Sequence, residues 1–181
     1  TGDHFYMLSA NRGPSRISAL YVDAKTGEAK TVTRDSTATW VELSHSFGQE
    51  NWDIAKGADD LIWWSERDGW GHLYRFDGAG VASITSTDGD GTLSQAPEPK
   101  AQITSGAWQV GQIAYVDEVA KQVYFTGRGR DGFLYYPKLY RAGYDGQGLT
   151  LLTPEDGFHA VSFSPSGKYF VDTYSRVDQA P

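Results

Sequence analysis

Apolar residues in this chain come in short runs of strand length, rich in Val, Ile, Tyr, Phe and Trp, and clusters of Gly, Asp, Ser and Pro separate them. That pattern predicts many short strands joined by tight turns. The stretch "LIWWSERDGWGHLYRFD", residues 61–77, shows it most clearly. Leu61 to Ser65 is an apolar run of strand length, Arg67 to Trp70 holds an Asp-Gly turn signal, and Gly71 to Asp77 is a second aromatic-rich run, so the stretch reads as a β-hairpin. Setting Glu66 against Gly71 places Ser65 opposite His72, Trp64 opposite Leu73 and Trp63 opposite Tyr74. Both faces of the hairpin are then largely apolar, as in a sheet buried on both sides, and Trp63 and Trp64 are expected in the core. Trp70 sits in the turn, where a core role is harder to argue.

The same order of strands and turns recurs along the chain. From Trp52 it runs strand, "KGADD", "LIWWS", "ERDGWG", "HLYRFD"; from Gln112 it returns as "QIAYV", "DEVAK", "QVYFT", "GRGRDGFLYYP", "KLYRAGY", "DGQG", "LTLLT". "HAVSF", "SPSGK" and "YFVDTY" begin a third copy, and "HFYMLSA", "NRGPSR", "ISALYVD", "AKTG", "EAKTVT" form a copy without its first strand. With strands lettered A to D, the chain reads BCD, ABCD, ABCD, AB. Small four-stranded units that cannot bury their own faces predict an all-β fold, a partial β-propeller with two complete blades and two partial ones. A β-sandwich also has short strands at this spacing but does not predict one repeated order of turns. The expected units are a partial blade at 1–34, blades at 50–105 and 108–153, and a partial blade at 158–175. Residues 87–101 are expected as a loop insertion and 176–181 as an exit. "ITS" occurs at 84–86 and at 103–105, and the later copy is favoured as strand D of the second unit because the next unit follows soon after. Closing these strands would leave only about three blades, below the usual four to eight, so an open arc with apolar end faces and a tendency to self-associate is expected.

Successive loops of an antiparallel unit alternate between its two ends. The A–B and C–D turns are short and polar. The B–C and D–A loops are longer and rich in Arg, Trp, Phe and Tyr, which makes their end the candidate working face unless long loops here simply vary. Arg67, Trp70, Trp108 and Arg128 are the candidates for lining a chamber or contacting another domain.

Bulk composition narrows the chemistry. The 181 residues suffice for one domain, and 16 basic against 23 acidic residues give a net charge of −7, which disfavours a nucleic-acid partner. No apolar run has membrane-spanning length, so no membrane span is expected. The absence of cysteine excludes disulfides, thiolate metal sites and a cysteine nucleophile. "GRGRDG" satisfies G-x-G-x-x-G but precedes "FLYYP", which cannot open the helix a phosphate cradle needs. "DGDG" at Asp88–Gly91 has two carboxylates of a calcium loop without its remaining ligands or closing Glu, and reads as a polar turn. His4, His45, His72 and His159 lack zinc-ligand spacing, no serine has a G-x-S-x-G elbow, and neither a cofactor nor a catalytic residue is expected in this chain.

The segments "WWSERDGWGHLYRFD", "ITSGAWQV", "VYFTGRGRD", "YYPKLYRAGYDGQGLTLLTPEDG" and "VSFSPSGKYFVDTYSRVDQAP" resemble the amino-terminal propeller of dipeptidyl peptidase IV-like enzymes in the prolyl oligopeptidase family. The resemblance covers about residues 50–181 in consecutive order, while 1–49 match only as propeller. It implies a propeller that caps an α/β-hydrolase domain with a Ser, Asp, His triad, restricts access to short or unfolded peptides, and serves removal of amino-terminal dipeptides, often after proline. The family's paired glutamates for the substrate amine have no match, because the sequence holds no Glu-Glu dipeptide. "DTYSRVDQAP" resembles the segment leading toward the catalytic domain. The implied partners are that hydrolase domain and a peptide substrate, and the implied location is periplasmic or secreted. A stand-alone propeller related to the translocation protein TolB, binding protein or carbohydrate, is the alternative.

Overall fold

Side chains of a strand alternate between the two faces of its sheet, so a strand apolar at every position needs a neighbour on each side. A computed structural model describes residues 2–42, 51–57, 59–78 and 97–179, and every regular element among them is a strand. The first sheet holds β1 (His4–Ala10), β2 (Arg16–Asp23) and β3 (Ala29–Ser36). The second holds β4 (Trp52–Ala55), β5 (Asp60–Ser65), β6 (His72–Asp77) and β7 (Ala101–Gln102). The third holds β8 (Gln109–Asp117), β9 (Gln122–Arg128), β10 (Lys138–Gly143) and β11 (Thr150–Leu151), and the last pairs β12 (Phe158–Phe163) with β13 (Phe170–Ser175). All pairs are antiparallel, and each sheet packs on the next in chain order. The chain is a partial β-propeller, and its described residues form two four-stranded blades between a three-stranded and a two-stranded one.

The hairpin has the expected register, with Ser65 opposite His72, Trp64 opposite Leu73 and Trp63 opposite Tyr74. Strand D of the second blade lies on the later side, although its ladder residues are Ala101 and Gln102 rather than 103–105. Ile103 and Thr104 extend the contact through their N–H groups to the Leu73 carbonyl, at 2.8 and 3.4 Å. The earlier "ITS", the "DGDG" turn, His45 and most of the expected insertion lie outside the described residues.

β5 divides its side chains between two cores. Leu61 and Trp63 join Ile17, Val32, Tyr74 and Phe76 between the first and second sheets. Ile62 and Trp64 join Leu73, Trp108, Val110, Phe125 and Tyr140 between the second and third. Both tryptophans are 1% exposed, and burying an aromatic of this size is worth on the order of 4 kcal/mol by area. Their indole N–H groups reach opposite neighbours: Trp63 Nε1 donates to Asp35 Oδ2 at 2.7 Å and Trp64 Nε1 to the Val110 carbonyl at 2.9 Å.

Polar clasps repeat this bridging outside the cores. The buried Asn51 donates from Nδ2 to the Gly111 carbonyl at 2.7 Å and accepts the Ile113 N–H on Oδ1 at 3.0 Å, where the register of β8 shifts. The Glu118 carboxylate accepts the N–H groups of Lys56 and Gly57 from the preceding blade. Tyr115 stacks on Phe163 with centroids 5.2 Å apart, joining the third sheet to the last. At the two ends of the arc Phe5, Met7, Phe158 and Val171 stay exposed.

Replacing Asn51 with Ala leaves the Gly111 carbonyl and the Ile113 N–H, on partly buried residues, without their partner between two blades. We expect a loss of about 1–3 kcal/mol in stability by urea denaturation, and a change too small to measure would contradict a role for this clasp.

Candidate functional site

Antiparallel pairing brings the 11–15, 66–71, 103–108, 129–137 and 152–157 loops to one end of the sheets, and the A–B and C–D turns to the other. Arg67 leaves β5 at the loop-rich end but folds back on the sheets. Its Nη2 donates to Asp35 Oδ1 at 2.7 Å and to Thr33 Oγ1 at 3.0 Å, Nε donates to Ser65 Oγ at 3.0 Å, and the guanidinium lies 4.9 Å from the Tyr74 ring centre. Asp35 also receives the Trp63 indole and the Ser65 hydroxyl. Arg67 therefore neutralises a nearly buried carboxylate first, and only its outer side lines a cavity of about 370 Å³ with Arg34, Thr37, Val41 and Glu42.

Trp70 stands at the tip of the hairpin, 43% exposed. Asp68 sets the turn below it, accepting the Trp70 N–H on Oδ1 and the Gln102 side-chain N–H on Oδ2 at 2.7 Å. Partial burial pulls the Asp68 carboxyl upward, but hydrogen bonds from Trp70, Tyr74 and Gln102 outweigh it and leave the group below its ordinary range. Burial, reinforced by Asp68, holds the Tyr74 phenol above its own.

Trp108 requires a correction. It is 3% exposed and packs against His72, Phe125 and Tyr140, so it is a core residue and does not line the face itself. Gly127 makes room for it, since a Cβ there would stand 2.5 Å from the indole. The guanidinium of Arg130 covers its ring at 5.6 Å. Thus the first glycine of "GRGRDG" serves packing, and Gly129 and Gly132, with φ of 80° and 97°, serve the turn of the long loop. Beyond them Phe133, Leu134 and Tyr135 are 55, 57 and 70% exposed. The sequence showed these three only as part of a long loop; an apolar run bounded by glycines was the available signal.

Arg128 is exposed at the end of β9, on the wall of a cleft of about 760 Å³ between β8 and β12. The buried histidines near this end are structural. His72 joins Thr104 Oγ1 and the Gly106 carbonyl, and His159 joins Asp172 Oδ2 at 2.7 Å and the Glu155 carbonyl at 2.9 Å. The loops thus present the exposed indoles of Trp40 and Trp70, an apolar tip and the guanidinium groups of Arg128 and Arg130, a surface suited to holding peptide or protein.

The model of the dipeptidyl peptidase IV (DPP IV) N-terminal region matches residues 1–181. The chain belongs to that family. The match includes the first 49 residues, which by sequence resembled only propellers in general. Over 170 residues the chain is 27% identical to the "Probable dipeptidyl peptidase 4" of Trichophyton verrucosum, covering 91% of this chain and 19% of the relative. It is 29% identical over 180 residues to the "Probable dipeptidyl-aminopeptidase B" of Chaetomium globosum, covering 96% and 18%. The chain thus spans about a fifth of the length of these relatives. The crystal structure of Porphyromonas gingivalis dipeptidyl peptidase 4 superposes with a TM-score of 0.70 at 22% identity, over 96% of this chain and 21% of that one. At that identity the superposition establishes the fold. No helix among the described residues is long and apolar enough to cross a membrane.

Asp68 supplies a pH test of the turn that carries Trp70. Its folded value lies below its unfolded value of about 4, so its contribution is present above that pH and is lost as pH falls through the folded value. The difference in urea midpoint between the native chain and Asp68→Asn is expected to shrink as pH drops from 6 to below 3. A difference independent of pH would show that the carboxylate does not organise the turn.

Proposed function

We propose that this chain is the non-catalytic propeller portion of a serine-type dipeptidyl peptidase, and that its loop-rich end frames the substrate chamber and meets an α/β-hydrolase domain of the same protein. The family match over the whole chain is the observation that carries this. Relatives bearing the names dipeptidyl peptidase 4 and dipeptidyl-aminopeptidase B support the reaction class. The contrast between the two ends supports the orientation: Trp70, Arg128 and the 133–135 tip are exposed at one, while the other is built of short turns such as the pair clasped by Glu118. In this arrangement Arg67 and Trp108 hold the face from beneath. The substrate is a peptide that loses its amino-terminal dipeptide, often after proline, and the protein works in a periplasm or outside the cell. The exposed end faces of the arc pack on further blades in the whole protein and on each other in the isolated chain.

The whole protein should release p-nitroaniline from Gly-Pro and Ala-Pro p-nitroanilides and lose this activity to a serine-directed phosphonate. The isolated 181-residue chain should release none and should sediment as dimers or larger species. Phosphonate-sensitive release by the chain alone, or none by the whole protein, would overturn the assignment.

A further inference from the structure

A cleft of about 300 Å³ opens at the short-turn end of the sheets, between the second and third blades. Arg75, Lys121, Gln122, Tyr144, Asp145 and Gln147 line it. Arg75 comes from β6, Lys121 from the turn between β8 and β9, and Tyr144 from the turn between β10 and β11. The two turns are tied together, since the Tyr144 N–H donates to the Lys121 carbonyl at 2.9 Å. Arg75 Nε and the Tyr144 hydroxyl are buried and have no hydrogen-bond partner among the described residues. Tyr144 as a whole is 3% exposed. Lys121 Nζ makes no ion pair or hydrogen bond among the described residues and lies 5.9 Å from the Tyr144 ring centre.

The carboxylates around this cleft already accept hydrogen bonds from elsewhere. Glu118 takes the N–H groups of Lys56 and Gly57, Asp117 those of Val119 and Ala120, Asp53 that of Ile54, and Asp145 that of Gln147. Asp60 takes Lys100 Nζ at 2.7 Å and stays 3.8 Å from Arg75 Nε, too far for a hydrogen bond. Asp60 also acts on the Tyr144 hydroxyl, so the two buried donors share one neighbourhood. Burial above all, with Glu118, Asp117, Asp53 and Asp60 adding to it, pushes the Tyr144 phenol up to about 12, and at neutral pH the group keeps its proton. The cleft therefore presents three donors, two of them cationic, without an acceptor of their own.

We propose that this cleft binds a phosphoryl group, held by Arg75, Lys121 and the Tyr144 hydroxyl. A phosphoryl group brings three acceptor oxygens and up to about two negative charges, enough for all three donors, whereas a carboxylate brings two oxygens and one charge. Arginine serves such an anion through its planar fork and lysine as a point charge. Bound there, the anion bridges β6 of one blade to two turns of the next, at the end away from the loops assigned to the substrate chamber. The site stands on these donors alone and is independent of the peptidase assignment.

Calorimetric titration of the whole protein with inorganic phosphate, at constant ionic strength set by chloride, tests this. Saturable binding is expected, about tenfold tighter than that of acetate. Arg75→Gln and Tyr144→Phe should each weaken phosphate binding about tenfold, and Arg75→Lys should keep part of it. Urea denaturation in phosphate-free buffer separates binding from folding. There Tyr144→Phe should be at least as stable as the native protein, because it removes a buried hydroxyl that has no partner. Glycerol 3-phosphate as a second titrant distinguishes the sources: tighter binding than inorganic phosphate assigns the site to a phosphate ester, and weaker binding assigns it to the free ion. Absence of saturable phosphate binding, acetate bound as tightly as phosphate, unchanged phosphate binding in Arg75→Gln and Tyr144→Phe, or a loss of stability in phosphate-free Tyr144→Phe would each overturn the proposal.

Discussion

Two adjacent tryptophans that must point in opposite directions constrain the rest of this structure. Trp63 and Trp64 are consecutive on β5, so strand geometry sends one to each face of the second sheet, and both are buried. A sheet with a bulky apolar group on each face cannot be an outer layer. Sheets on either side must cover it, and each indole finds its hydrogen-bond acceptor in a different neighbour, Asp35 before it and Val110 after it. The bonds add direction to an attraction that burial alone would leave loose. Stacking of blades follows from this local requirement, repeated in weaker form in the third sheet, where Phe125 packs back toward the second sheet and its neighbour Tyr124 packs forward on Phe163.

Once blades stack in chain order, the loops have no freedom to choose an end. Every B–C and D–A connection emerges at one end, and chemistry scattered through the sequence is gathered there. Arg67 shows how the two tasks meet. Its guanidinium closes the charge of Asp35, the same group that anchors Trp63, while its outer side reaches a cavity among residues of the first two blades. A substitution here disturbs the packing of the blades and the surface together, unlike one at Trp70, whose ring stands free on the turn set by Asp68.

The parts of this fold that depend on local pattern were legible in the sequence. Alternation and an Asp-Gly signal sufficed for the hairpin register at Trp63, Trp64 and Ser65, and the recurring order of turns sufficed for the blades. Parts that depend on contacts between blades were not. Trp108 sits among Ser, Gly and Gln in the sequence and reads as a loop residue, yet the absence of a side chain at Gly127, in another strand, opens the slot that buries it. Asp35 carries no local sign that it will receive an indole, a hydroxyl and a guanidinium. β7 is only two residues long, too short for a hydrophobic period to place, and its partner β6 decides its position. Arg128 could be named from its loop, but its place on the wall of a cleft between β8 and β12 could be seen only once β12 stood opposite.

Hydrogen exchange of the indole N–H protons, followed by nuclear magnetic resonance, addresses the pairing of tryptophans directly. If Trp63 and Trp64 bind successive blades into one unit, their indole protons exchange only when the arc opens, at the rate of the slowest amides in β5 and β9, while that of Trp70 exchanges at the rate of an exposed group. Exchange of the Trp63 or Trp64 indole as fast as that of Trp70, with the β5 amides still protected, would show that the blades fold separately and that the tryptophan pair does not join them.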